Sequence, residues 1–296
     1  MSSNILRTRA FARRYATASS SSPLGTHTMS PFRLFDRNAK RIQKDRAASR
    51  ESGERSRTVD YVRDEVADRL FERVLDIKRR FPHILDLSAG SGHFTKLLDS
   101  DITDRVTMLD MSSQSLNRDP DSEFPLPPAR LHMDEENLLK SLKPDGVFLG
   151  AMFGGDTLFE LRTSLQLAQT EREGGISPRV SPMTDTRDVS NLLGRAGFTL
   201  LTVDTDDVKV SYPSIWELME DLRDMGESNA IVSRNTFIKR DTLIAADAIY
   251  KALHGDEDGT VPATFQIIYM IGWKPAPNQP KPLERGSGQT NLKDVL

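Results

Sequence analysis

Eight residues between positions 86 and 135 have the types and the order to hold a nucleoside: Asp86, Ser88, Gly90, Gly92, Asp110, Met111, Asp134 and Glu135. Asp86 comes near the end of the apolar run "HILDL", and a turn of small residues, "SAGSG", follows. Gly90 and Gly92 let the backbone reverse sharply and approach a ligand with no Cβ in the way. Asp86 can fix that turn or receive a charged amine. A second apolar run, "RVTMLDMS", carries Asp110 and Met111 at its end, with Asp110 placed 24 residues after Asp86. An acid roughly 20 residues beyond a glycine turn is positioned to accept from both hydroxyls of a ribose. A third run, "ARLHMDEENLL", leads into Asp134 and Glu135. The competing use of Asp110 and Asp134 is to cap helix N-termini. Three acids and two glycines in this order favour a ligand.

The same stretch admits a different chemistry. His132 and Asp134 form an H-x-D pair, and a distal His254 would complete a two-His, one-carboxylate iron site. Oxygenases of that kind are built on β jelly rolls, whereas this chain alternates strands with helices. A three-residue pattern also arises easily by chance, so no metal site is expected. No residue is assigned a catalytic role.

The surrounding elements follow from periodicity. "VDYVRDEVADRLFERVLDI" sets Val62, Val66, Leu70, Val74 and Ile77 at helical spacing, and Phe81-Pro82 stops that helix. A further helix is expected from about His93. "GVFLGAMFGG" reads as a buried strand, and "DTLFELRTSLQLAQTERE" as a helix with Leu158, Leu161, Leu165 and Ala168 on one face. "TRDVSNLLGRAGF" is a helix ended by Gly197. "TLLTVDTDDVKVSY" alternates as a strand, and "TFQIIYMIGW" is the terminal antiparallel one. Between these two strands, residues 213–255 form a helical insertion expected to cap the pocket. Trp216, Met219 and Met225 line the pocket or pack the cap. Glu227 and Asn229 in "GESN" either meet a guanidinium or are ordinary loop groups. Residues 59–274 thus make one α/β domain, with a disordered tail expected over 275–296.

Composition narrows the class. The 296 residues are 37% hydrophobic and 28% charged, as a soluble globular protein with some disordered ends would be. No apolar run approaches the ~18–20 residues of a membrane span. A net charge of −3 does not suggest a dedicated nucleic-acid binder. With no cysteine, disulfides, thiolate nucleophiles and Cys-ligated zinc or iron–sulfur sites are excluded.

Residues 1–30 carry Arg7, Arg9, Arg13 and Arg14, are rich in serine and contain no acid before Asp36. That is the composition of a mitochondrial presequence, with a processing site after Tyr15 in "RRYA"; a merely disordered tail is the alternative. Removing those four cations takes the net charge from −3 to −7. Residues 31–58 form a basic arm, with nine Lys or Arg against four acids over 32–57. It is read as a solvated helix or as a docking arm for an acidic partner or membrane surface.

Longer stretches carry a resemblance. "DLSAGSG" resembles motif I of class I S-adenosyl-L-methionine (SAM) methyltransferases, with Ser88 in place of the first glycine. "LFDRNAKRIQKDRAA", "LKPDGVFLGAMFGGDTLFELRTSLQLAQTEREGGISPRVSPMTD", "LLGRAGFTLLTVDTDDVKVSYPSIWELMEDLRDMGESNA" and "DGTVPATFQIIYMIGWK" are similar to the mitochondrial complex I assembly factor 5 family. The similarity runs from about Phe32 to Lys274; it extends more distantly to the bacterial malonyl-carrier-protein methyltransferase. It implies a class I SAM-methyltransferase-like, Rossmann-like sheet with a terminal antiparallel strand, and SAM as cofactor on the eight residues above, an acid at Asp134-Glu135 meeting the adenine amino group. It implies a matrix protein, peripheral to the inner membrane, that hydroxylates an arginine of the iron–sulfur subunit of complex I near the quinone site. Since fold does not settle chemistry, two other readings stand. One is a SAM-dependent methyltransferase of a small or carrier-bound acid. The other is a non-catalytic assembly chaperone.

One junction breaks the pattern. Members of that family place a fourth strand, a pocket-lining loop and a helix between the "DEE" loop and "LKPDG". Such a unit takes roughly 30–35 residues, yet Leu139 runs directly into Lys140, as a skipped exon or a misassigned gene structure would leave it; the alternative is a lineage that dispensed with strand four, leaving strand one without its neighbour. The sheet is therefore expected to lack strand four. Its flanks would be left with buried, unpaired backbone groups, or strand five would pair directly with strand one.

Overall fold

The mainly apolar run in "VTML" has a direct cause: its strand is largely covered, as parallel strands are. In the computed structural model, which describes residues 34–134 and 142–280, Val106, Met108 and Leu109 of β2 (Val106–Asp110) are buried. Strand β2 lies between β1 (Ile84–Leu87) and β3 (Ala129–His132), parallel to both. The register sets Asp86 opposite Met108, and Asp110 opposite His132. The acids therefore gather at the carboxyl ends of the strands, where open α/β sheets bind ligands. The expectations for residues 1–30, Glu135, the Leu139–Lys140 junction and the last sixteen residues fall outside the described residues.

The second sheet has the order β4–β6–β5, formed by β4 (Val147–Phe153), β5 (Thr199–Tyr212) and β6 (Val261–Trp273), with β6 antiparallel to both neighbours. Its central strand carries the main core: Val261, Ala263, Phe265, Ile267 and Tyr269 are buried together with Leu161, Leu165 and Ala168 of α5 (Phe159–Glu173). Helix α6 (Thr186–Arg195) packs Val189 and Leu193 on the opposite face, against Ile268 and Met270. Gly197, at φ +87, ends that turn as expected. Helix α3 (Tyr61–Asp76) buries Val62 and Val74 and packs Val66 and Leu70 on the core. In the insertion, α7 (Ile215–Asp224) buries Ile215 and Leu218, and α8 (Arg240–His254) buries Ala245, Ala246 and Tyr250 in the same core.

This is the class I methyltransferase-like α/β architecture with its sheet divided. Among the described residues no backbone pairing joins β1 to β4, so strand five has not closed onto strand one. In the class I order strand four stands between these two edges. The flanks differ from expectation in one respect. Leu87 of β1 is 42% exposed and Met152 of β4 is 39% exposed, and most of the remaining residues on both strands are half-buried. The edges therefore reach water. Arg79 ties the two sheets at one end: its guanidinium donates to the Asp145 carboxylate (3.0 Å) and carbonyl (2.7 Å) and lies over Trp273 and Phe81.

Two further expectations are corrected. No α-helix starts at His93; the chain makes only turns and a 3-10 segment over Thr95–Leu97. The Asp99 carboxylate accepts from the N–H groups of Asp101 (2.9 Å) and Ile102 (3.2 Å), a local bond that competes with helix continuation. The basic arm is also not a solvated segment. It forms α1 (Arg37–Ser49), capped by Asp36 on the Ala39 N–H, and then α2 (Glu54–Thr58). Between them Glu51, Ser52 and Gly53 take left-handed φ. A Cβ on Gly53 would lie 2.9 Å from Arg118 Cγ, so only glycine lets this turn sit on the arginine stem.

Candidate cofactor site

Asp110 is fully buried and accepts three hydrogen bonds. Gly90 N–H donates to Oδ2 at 3.0 Å, Ser112 N–H donates to Oδ1 at 2.7 Å, and Lys44 Nζ of α1 lies 2.5 Å from Oδ2. The capping alternative for Asp110 fails. The cap of α4 (Ser113–Leu116) is Ser112, whose hydroxyl accepts from Ser115 N–H at 3.1 Å. Asp134 is paired with Arg37 of α1 at 2.5 Å. Met111 is buried, and its carbonyl accepts from His132 Nε2 at 3.1 Å.

The two glycines divide their roles. A Cβ built on Gly90 would meet nothing within 4 Å, so this turn faces open space that a ligand can approach. A Cβ on Gly92 would lie 2.6 Å from Phe124 and 2.8 Å from Met108. Gly92 is thus required by packing against the core of this sheet. Ser88 takes φ +56, which glycine would adopt without the strain a side chain meets there. Asp86 sits beneath the turn and accepts from Thr95 Oγ1 at 2.7 Å. Burial raises its carboxyl, the Thr95 bond works against this, and the nearby Asp110 charge adds to it, leaving Asp86 at about 6.

A buried ionic cluster braces the turn from below. Arg118 bonds to Asp60 (2.6 Å) and Asp119 (2.8 Å), and Asp119 also takes Lys96 (2.7 Å) and Arg57 (2.8 Å). His93 donates to Asp64 at 2.7 Å. Of the pair in the iron alternative and its distal partner, His132 donates from Nε2 to the Met111 carbonyl, and His254 packs edge-on against Phe159 and Tyr250. Among the described residues no three His or carboxylate side chains are grouped as a metal set.

The insertion residues are used structurally. Glu227 pairs with Lys40 of α1 and with Arg63. Against burial, which would raise it, those two charges hold its carboxyl below the ordinary value. The Asn229 side-chain amide donates to the Pro178 carbonyl, its Oδ1 accepts from Ile231 N–H, and its backbone carbonyl accepts from Gln43. Met225 is buried, Met219 packs on the main core, and Trp216 lines a surface cavity of about 500 Å³ with Phe237, Ile238, Arg240, Leu243 and Ile244.

Residues that sequence reasoning missed come chiefly from α1. Arg37, Lys40 and Lys44 meet Asp134, Glu227 and Asp110. Their i, i+3, i+7 spacing is that of one helix face, and it was the available signal that these cations share a task inside the fold.

With this geometry in view, the relatives are informative. No family profile matches the chain. A human protein named "Arginine-hydroxylase NDUFAF5, mitochondrial" is 43% identical over 311 aligned positions, which take in 95% of this chain and 89% of that protein. The chain belongs to the NDUFAF5 arginine-hydroxylase family. It is also 30% identical, over 254 positions, to the malonyl-[acyl-carrier protein] O-methyltransferase of Halorhodospira halophila, covering 75% of this chain and 84% of that one. Among solved structures, the YcgJ protein of Bacillus subtilis aligns with a TM-score of 0.47 at 12% identity, over 70% of this chain and 98% of that one. The human alignment is longer than this chain of 296 residues. Since it takes in only 95% of the chain, about 30 aligned positions have no counterpart here, the length of one strand-and-helix unit.

Proposed function

We propose that this chain is a mitochondrial enzyme of the matrix, peripheral to the inner membrane, that hydroxylates an arginine of the iron–sulfur subunit of complex I near the quinone site. The observation that carries this reading is the 43% identity, across 95% of the chain, to a protein named as an arginine hydroxylase. The Arg-rich, acid-free presequence agrees with mitochondrial import, and no helix among the described residues is long and apolar enough to cross a membrane. The site fits SAM. Open space at Gly90 admits the ligand, Asp110 ends the second strand where a ribose diol belongs, Asp134 follows the third strand, and Asp86 carries a charge for the amine. When bound, SAM supplies an activated methyl group; here it is assigned to the eight residues as a ligand, with Glu135 beside Asp134.

The methyltransferase relative supports a second reading, methylation of a small or carrier-bound acid. Mass spectrometry of the iron–sulfur subunit from cells lacking this protein separates the readings. Loss of a +16 Da arginine is the expected result. Loss of a +14 Da change favours methylation, and no lost modification with stalled assembly favours a non-catalytic chaperone.

The Asp86 carboxyl gives the cofactor assignment a pH signature. Protonation as the pH falls through about 6 removes the negative charge that would receive the amine. Affinity for S-adenosylhomocysteine, followed by calorimetry between pH 8 and 5, should be highest above 7 and should fall steadily below 6. Asp86→Asn should bind weakly with no such step. A flat wild-type profile would remove Asp86 from the site.

A further inference from the structure

A carboxylate offers about four lone-pair sites, and three at Asp110 are already filled. Lys44 and Gly90 both donate to Oδ2, and Ser112 donates to Oδ1. One site remains, on a group with no exposed surface. A ribose diol brings two O–H donors, so a two-bond contact requires an existing donor to leave. Gly90 and Ser112 donate from backbone N–H groups, one in the loop after β1 and one at the cap of α4, and cannot withdraw without remaking those segments. Lys44 donates from the end of a flexible four-carbon stem, and its side chain is 15% exposed.

Helix α1 itself is pinned. Asp36 N–H bonds to the Ala230 carbonyl at 2.8 Å, and Val232 N–H to the Leu34 carbonyl at 2.9 Å. Arg50 pairs with Asp224 just past the other end, and Ala47 and Ala48 are buried. Gly226 brings another segment close: a Cβ there would lie 3.3 Å from Lys44 Cα. The free motion is therefore that of the Lys44 side chain alone.

We propose that Lys44 is a gate on the ribose-binding carboxylate. Its ammonium neutralises and covers Asp110 until a nucleoside with an intact 2′,3′-diol displaces it. This rests on the cofactor reading above. Lys44 acts through Asp110 and sets which ligands can enter, since a ligand with one hydroxyl replaces only part of what Lys44 supplies.

The test is calorimetry of S-adenosylhomocysteine on the full chain and two variants. Lys44→Met keeps the stem, removes the competitor and leaves Asp110 without its cation, so binding should tighten about tenfold. Lys44→Arg offers the carboxylate a forked, stronger partner, and binding should weaken several-fold. Tightening must be steeper for the ribonucleoside than for its 2′-deoxy analogue. Weaker or unchanged binding in Lys44→Met, or unchanged or tighter binding in Lys44→Arg, overturns the gate. Should Lys44→Met fail to fold, Lys44→Arg decides alone. Absence of binding heat in wild type and both variants overturns the cofactor reading and the gate with it, whereas binding in the wrong order overturns only the gate.

Discussion

Inserting the strand-and-helix segment of the human relative after Leu139 should raise the melting temperature by about 10 °C and increase rescue of complex I assembly. The gap between β1 and β4 is one strand wide in the class I order, and about 30 aligned positions of the human relative have no counterpart here. A parallel strand in that gap would pair with both edges. Its hydrogen bonds, each worth ~0.5–1.5 kcal/mol net, roughly offset the ordering of its backbone. The gain then comes from apolar burial. Leu87, Met152 and their half-buried neighbours would lose the exposure they now have. Full burial of such a side chain is worth ~1.5–3 kcal/mol. Three or four side chains, each gaining about half of that, sum to roughly 4 kcal/mol. At ~2–4 °C per kcal/mol for a domain of this size, the shift is about 10 °C. The loop after the new strand would also close one wall beside Asp86 and Gly90. Equal melting temperatures and equal rescue by the two forms would show that the segment is dispensable.

Arg118→Met should destabilise the fold by about 3 kcal/mol, the lower end of the ~3–5 kcal/mol for breaking a buried ion pair. Arg118 and Asp119 are 2% and 1% exposed at their side chains, and Arg118 also meets Asp60. Methionine retains the stem beneath Gly53 but leaves both carboxylates short of a donor. Lys96 and Arg57 still hold Asp119, which is why the lower figure applies. The pH dependence has a defined sign. Burial works to raise the Asp119 carboxyl, but Arg118 and Lys96 hold it well below its ordinary value. A carboxyl depressed on folding contributes stability that is complete above the unfolded value of ~3.9 and is lost as pH falls below it. Wild type should therefore lose stability steeply below pH 4, and Arg118→Met less so, because part of that contribution is already gone. Urea unfolding at pH 7 and pH 3.5 measures both. Equal midpoints at pH 7 would show that the cluster braces nothing.

Much of this fold is legible in the chain because it depends on local periodicity. The run "RVTMLDMS" reads as an apolar strand, Val62 to Val74 share a helix face, and Gly197 ends its helix. The order Asp86, Gly90, Asp110 follows from parallel strands carrying their functional groups at one end. The expectation of a lost strand has the same local origin: Leu139 and Lys140 leave no length for a strand and its return. Three-dimensional packing decided what local pattern could not. Gly90 and Gly92 are the same residue type two positions apart, yet one faces open space and the other is filled by Phe124 and Met108. The arm over 31–58 has a charge count that fits a solvated helix, and only the folded chain shows Lys44 on Asp110, Arg37 on Asp134 and Lys40 on Glu227. Those pairs join residues 66, 97 and 187 positions apart. Charge alone names no partner at such separations; the register of α1 over the sheet ends does, because an ion pair requires its two groups within about 4 Å.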